Sequence, residues 1–257
     1  MMPRRRPLLV ASIQAGMVLG GLLLLEALCR TGAIGRITMV APSLMVAAAL
    51  RAMADPVLRG ALLITASELL SATALSIVLG AALGIALFLS PAVRRIADPV
   101  LGAWYAVPLF VFYPVMIVLF GVGRMPIIAI AFVFSLGAMV TSTLSALDRI
   151  PCALFRIARI HQLSLPRRIA FVLLPAALPH LVVGMRLVVA YALIASVAGE
   201  FILSSVGIGH EIAFAYDNFE TAKMYGLIVI VILLATGLNG LLSAGARRLD
   251  PGQAARG

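Results

Sequence analysis

Residues able to do chemistry are few in this chain and do not converge. There are three histidines (His161, His180 and His210), two cysteines (Cys29 and Cys152) and a single lysine, Lys223. A metal site needs three or four ligands at short spacing, and nucleophilic catalysis needs a hydroxyl or thiol beside a base. Here the histidines fall in different segments, and His180 has no evident nucleophile partner. Lys223 is followed by Met224, so the Lys-Ser/Thr step that cradles nucleotide phosphates is missing. The residues therefore predict no metal, no cofactor and no catalysis by this chain. Two charges remain in odd places, Arg186 and Glu200, at either end of an apolar run. Beside them stands a stretch rich in arginine and proline, "RIARIHQLSLPRRIAFVLLPAALP" at 156–179.

Composition decides what must position these residues. Of 257 residues 63% are hydrophobic and 12% charged, with a mean hydropathy of +1.12, far beyond a soluble domain. The chain reads as an all-α polytopic membrane protein, a single domain over 1–257 in contact with lipid. Uncharged runs long enough to cross a bilayer are 7–25, 69–90, 99–120, 126–147 and 224–246. A sixth, about 180–202, carries its charges toward its ends. The N-terminal run is too long for a cleaved leader, and Leu28 before Cys29 does not suit lipoprotein processing, so a retained first span is expected.

Six spans place both termini on one side, and arginine selects it. Arg4, Arg5, Arg6, Arg94, Arg95, Arg149, Arg156, Arg159, Arg167, Arg168, Arg247, Arg248 and Arg256, thirteen of the twenty basic residues, share one face, predicted to be cytoplasmic. Arg30, Arg36, Arg51, Arg59, Arg124 and Lys223 share the other. The net charge of +10 is thus a topology signal and implies no nucleic acid. Cys29 and Cys152 fall at opposite ends of the bundle, too far apart to pair.

Small residues and prolines organise the spans. Gly80 and Gly84 form a GxxxG face that admits a close neighbour. Pro99, Pro108 and Pro114 should bend or unwind the third span, either to line a path or simply as packing kinks. Arg186 and Glu200, as ionisable residues within a span, either face such a path or snorkel to an interface. The loop at 148–179 is long for a reversal. Residues 152–162 suit a short helix with Leu154, Ile157, Ala158 and His161 along one side, and Ser164 with Pro166 suits the start of a second, ending at Leu174-Pro175.

At this loop the chain resembles the permease subunit of bacterial ABC importers of the nitrate, sulfonate and taurine type. That family has Glu-Ala-Ala, then Gly four residues past the second Ala, then an Ile ten residues on, closed by Leu-Pro. Here the register falls on Arg156, Ile157 and Ala158, then Gln162, then Val172, Leu174 and Pro175. The likeness runs from about Ala41-Pro42 to the tail. It includes "SPAVRRIADPVLGAWYAVPLFVFYPVMIVLFGVG", with Asp98-Pro99, Val107-Pro108, Tyr113-Pro114 and Phe120-Gly121-Val122-Gly123, and "GMRLVVAYALIASVAGEFILSSVGIG", with Arg186, Glu200 and Gly207-Ile208-Gly209.

The resemblance implies a type I ABC importer permease-like fold in a bacterial inner membrane, with an N-terminal span and leader over about 1–40, a core over about 65–246 and a cytoplasmic coupling elbow between helices 4 and 5. It implies two copies of a separate ATPase subunit carrying ATP and Mg, a periplasmic solute-binding protein, and a second permease chain, by default a copy of this one. The solute would be a small molecule such as a sulfonate, taurine or nitrate. Arg156 reverses the family's charge and Gln162 replaces its turn glycine, so a divergent, weakly coupled paralogue stays open, as does an ion-coupled secondary transporter, although no internal repeat supports the latter.

Overall fold

A computed structural model of the chain describes residues 6–35, 37–106 and 108–249. Arg4, Arg5, Arg36, Val107 and Arg256, used above, lie outside the described residues. All regular structure among the described residues is helical: α1 (Arg6–Arg30), α2 (Pro42–Ala54), α3 (Pro56–Leu89), α4 (Pro91–Ala103), a 3₁₀ turn (Leu109–Phe112), α5 (Tyr113–Phe120), α6 (Arg124–Asp148), α7 (Cys152–Ile160), α8 (Leu165–Arg168), a π-helical turn (Ile169–Leu173), α9 (Leu174–Leu203), α10 (Ile208–Asp217) and α11 (Thr221–Leu249). Proline opens α2, α3 and α4, where its fixed φ suits the first turn and its missing N–H costs nothing.

Five helices among the described residues are long and apolar enough to cross a membrane: Ser12–Arg30, Pro56–Leu89, Arg124–Asp148, Leu165–Leu203 and Thr221–Gly245. The expected third span, 99–120, is not one helix. Pro99 is carried inside α4, the chain unwinds after Ala103, and Pro114 sits in the first turn of α5. The broken segment is anchored to other helices by aromatic side chains with polar handles. Trp104 Nε1 donates to the Val133 carbonyl at 3.2 Å and Tyr113 Oη to the Leu203 carbonyl at 2.8 Å. Between them Tyr105 packs with Phe134 and Tyr191 at centroid separations of 5.3 and 4.9 Å.

α3 also departs from its expected bounds. It begins at Pro56, not 69, and its 34 residues span about 51 Å, well over the hydrocarbon thickness. The uncharged run starts only after Glu68, but glutamate is a good helix former and the helix runs through it, with Arg124 meeting its carboxylate at 3.0 Å.

The chain divides into two compact units, one holding the chain up to Ala61 together with Glu211–Ile232, the other Leu62–His210 together with the chain from Leu233 on. In the first, the Glu26 carboxylate takes Arg30 at 2.6 Å and the Ser43 N–H at 3.0 Å, so a residue of α1 caps the start of α2. Within the second, α6 and α9 form the core, with Met139, Leu147, Leu173, Leu181 and Val188 buried together. α3 joins them through its small face, as the GxxxG spacing predicts. A Cβ added at Gly80 would stand 2.6 Å from Met139 Cβ, and one at Gly84 2.6 Å from Thr143 Cβ.

Candidate functional site

The arginine-rich loop forms a helix, a turn and a second helix. α7 is strongly amphipathic, but the buried side is not quite the expected one: Ala158 is buried and Leu154 and Phe155 half-buried, whereas Ile157 and His161 face outward. Phe155 is the reason. Its ring stacks on Phe88 at the end of α3, centroids 6.1 Å apart, while the Arg168 guanidinium lies 5.3 Å over it. This sandwich fastens α7 to the bundle and turns Arg156, Ile157, Arg159 and Ile160 to the outside. At the nearby end of α6, Asp148 receives both terminal nitrogens of Arg94, at 2.8 and 2.7 Å, tying down α4.

The turn after α7 preserves the conformation a glycine would give. Gln162 has φ of +47°. The Leu163 N–H bonds the Ala158 carbonyl at 3.1 Å and the Gln162 N–H bonds the Arg159 carbonyl at 3.0 Å, the paired hydrogen bonds of a Schellman turn with its left-handed residue at 162. Two expectations for the second helix are corrected. Ser164 occupies the N-cap position but makes no side-chain cap bond. The helix does not stop at Leu174-Pro175 but runs on into α9 through the π turn at Ile169–Leu173. Proline clashes with the carbonyl four residues back and offers it no donor; the wider turn relieves both problems.

The predicted coupling residues thus lie on one connected stretch. Arg156, Ile157, Gln162, Leu174 and Pro175 are exposed, Val172 is half-buried, and Ala158 is buried beneath the turn. The predicted path residues do not come together. Pro108 and Pro114 are exposed on the broken segment, and Arg186 is half-buried. Glu200 is fully buried and lies about 21 Å along α9 from Arg186.

Glu200 belongs to a network that sequence reading missed. Its Oε2 accepts from Thr65 Oγ1 at 2.8 Å and from the Gly209 N–H at 2.7 Å, while the Ile208 N–H donates to Thr65 Oγ1 at 2.8 Å. Together Thr65 and Glu200 satisfy the first N–H groups of α10, where a carboxylate also suits the helix dipole. Gly207 has φ of +98°, and a Cβ there would fall 2.3 Å from Glu200 Cδ, so the chain can fold back onto this carboxyl only through glycine. Glu68, wholly buried, stands beside it with Arg124, which also reaches Ser67 Oγ.

The first unit contains an open cleft of about 660 Å³ whose charged lining is Arg51, Asp55, Glu220 and Lys223. Two acids and two bases give it no preference for ions of one sign.

An all-helical membrane bundle with a short amphipathic helix fastened outside two core spans defines the class, and the sequence places it. Residues 76–254 match the family described as binding-protein-dependent transport system inner membrane component, and the chain belongs to that family. It is 29% identical over 176 residues to the taurine transport system permease protein TauC of Escherichia coli (strain K12), covering 68% of this chain and 64% of that one. It is 28% identical over 172 residues to the nitrate import permease protein NrtB of Leptolyngbya laminosa, covering 67% and 62%. The matches thus span a little under two thirds of these relatives' length. A chain of the MetNI methionine ABC transporter in an inward-facing conformation superposes with a TM-score of 0.68 at 19% identity, over 75% of this chain and 96% of that one, and shares its fold.

Proposed function

We propose that this chain is the permease subunit of an ATP-driven importer, and that the loop through α7 and α8 is where it is driven. The observation that carries this reading is the Phe88–Phe155–Arg168 sandwich. A loop that merely held arginines at lipid headgroups would not need a helix stacked onto the ends of the spans. A helix so fastened moves with α3 and α9 when pushed. Its outward side offers Arg156, Ile157 and Ile160, continued by Leu165, Phe171 and Leu174, a mixed cationic and apolar surface suited to a groove on an ATPase.

ATP and Mg sit on that partner, of which two copies serve two permease chains, by default identical. A periplasmic binding protein delivers the solute, a small molecule of the sulfonate, taurine or nitrate kind, as the names of the relatives suggest. The termini and the loop face the cytoplasm, in keeping with the arginine distribution.

The test is solute-stimulated ATP hydrolysis in proteoliposomes holding the permease, its ATPase and its binding protein. Ile160→Asp changes an exposed contact and should cut stimulation at least tenfold without altering thermal stability. Arg156→Glu should weaken it with the cognate ATPase and be rescued by a charge change on that ATPase. Full stimulation in both variants would remove the coupling role. For topology, Cys152 is exposed. In a Cys29→Ser background a membrane-impermeant thiol reagent should leave it unlabelled in cells whose outer membrane alone is permeabilised, and labelling there would invert the orientation.

A further inference from the structure

Two carboxyl groups are buried side by side with one oxygen left over on each. Glu68 and Glu200 have no exposure to solvent. Glu68 Oε1 accepts from Arg124 Nε at 3.0 Å, and Glu200 Oε2 is filled by Thr65 and the Gly209 N–H. Glu68 Oε2 and Glu200 Oε1 receive no donor, and the two side chains are neighbours, because Thr65, which donates to Glu200, stands one turn before Glu68 on the same face of α3. Two ionised carboxylates in that arrangement repel strongly where water is excluded, and each bare oxygen would forgo a hydrogen bond.

We propose that Glu68 and Glu200 form a buried proton-binding site, with one proton held between Glu68 Oε2 and Glu200 Oε1. One proton turns the repulsion into a charge-assisted hydrogen bond and leaves the cluster neutral, the remaining negative charge being balanced by Arg124. No other charged group faces the pair among the described residues of this unit. α3 adds the hydroxyl of Thr65, and the start of α10 adds backbone N–H groups. A hard metal cation is a poorer occupant, because it needs about six oxygens and the other carboxylate oxygens here are already engaged by N–H and O–H donors.

The proton ties together three elements. Glu200 caps α10 and ends α9, Glu68 sits in the middle of α3, and losing the proton would set like charges against each other at that junction. The site stands whether or not α7 couples to an ATPase.

The experiment uses the full chain purified in detergent. Free glutamates are ionised at neutral pH, so the folded state holds one more proton than the unfolded state, and stability is lost as pH rises through the range where the pair gives it up. Wild type should lose several degrees of Tm from neutral to alkaline pH and show the infrared carbonyl band of a protonated carboxylic acid. Glu68→Gln replaces the proton with a fixed N–H donor. It should keep the neutral-pH Tm, flatten the alkaline slope and abolish the band, and Glu200→Gln should flatten the slope as well. The proposal fails if Glu68→Gln lowers Tm as much as Glu68→Ala with the slope unchanged, or if wild type has no such band. It fails equally if Tm responds to sodium or calcium and not to pH.

Discussion

The turn that ends α7 and the turn that ends α10 have one backbone and two different closures. Each is a Schellman turn, with the Leu163 N–H on the Ala158 carbonyl in the first and the Glu220 N–H on the Ala215 carbonyl in the second. Each buries the alanine beneath it, Ala158 at 2% exposure and Ala215 at 0%. Each puts a residue other than glycine in the left-handed region, Gln162 at φ +47° and Phe219 at φ +57°. They differ in the next residue. Leu163 is apolar and half-buried, whereas Glu220 is charged and sits 3.8 Å from Lys223, which also holds Glu211 at 3.1 Å. The hydrogen bonds and the small residue underneath set such a turn; the residue at its apex only raises or lowers its cost.

The comparison can be broken most sharply from below. Ala158→Asp and Ala215→Asp each place a carboxylate where the turn is closed, and each should cost about 3 kcal/mol or more of local stability, seen as new protease cleavage at the affected turn alone. Equal cleavage in wild type would show that the alanines do not hold the turns. An intermediate effect should come from the apex. Phe219→Gly and Gln162→Gly relieve left-handed strain and should each stabilise by about 1 kcal/mol, with the bulkier Phe219 gaining the more; a loss of Tm in either would mean that its side chain contributes packing worth more than the strain. Lys223→Ala should have the smallest effect, a few tenths of a kcal/mol up to about 1, detectable as a loss of salt sensitivity in the α10 turn and none in the α7 turn.

Legibility follows the range of the interaction. The turn at Gln162 was half legible: the resemblance marked 162 as a turn glycine's place, but glutamine there argued against the left-handed conformation that the turn keeps. The same turn at Phe219 was not legible, since an aromatic residue gives no sign of positive φ. Gly80 and Gly84 announced a close contact without naming Met139 and Thr143 as its other side. Three prolines foretold trouble in the third span, but the break fell after Ala103, where Trp104, Tyr105 and Tyr113 could hold an unwound chain against distant helices. Glu68 escaped notice because it stands one residue before an uncharged run. Its partners Arg124 and Glu200 are supplied by other helices, and only the fold brings them to it.

The π turn at Ile169–Leu173 sets a register. Such a turn holds one residue more than an α-helix of the same hydrogen-bonded length. Deleting one residue there would restore an ordinary helix and swing everything before it about 100° around the α9 axis. The azimuth at which α8 leaves the spans is therefore stored in one residue's worth of register, and an indel at this point is a larger step for the loop than any point mutation within it.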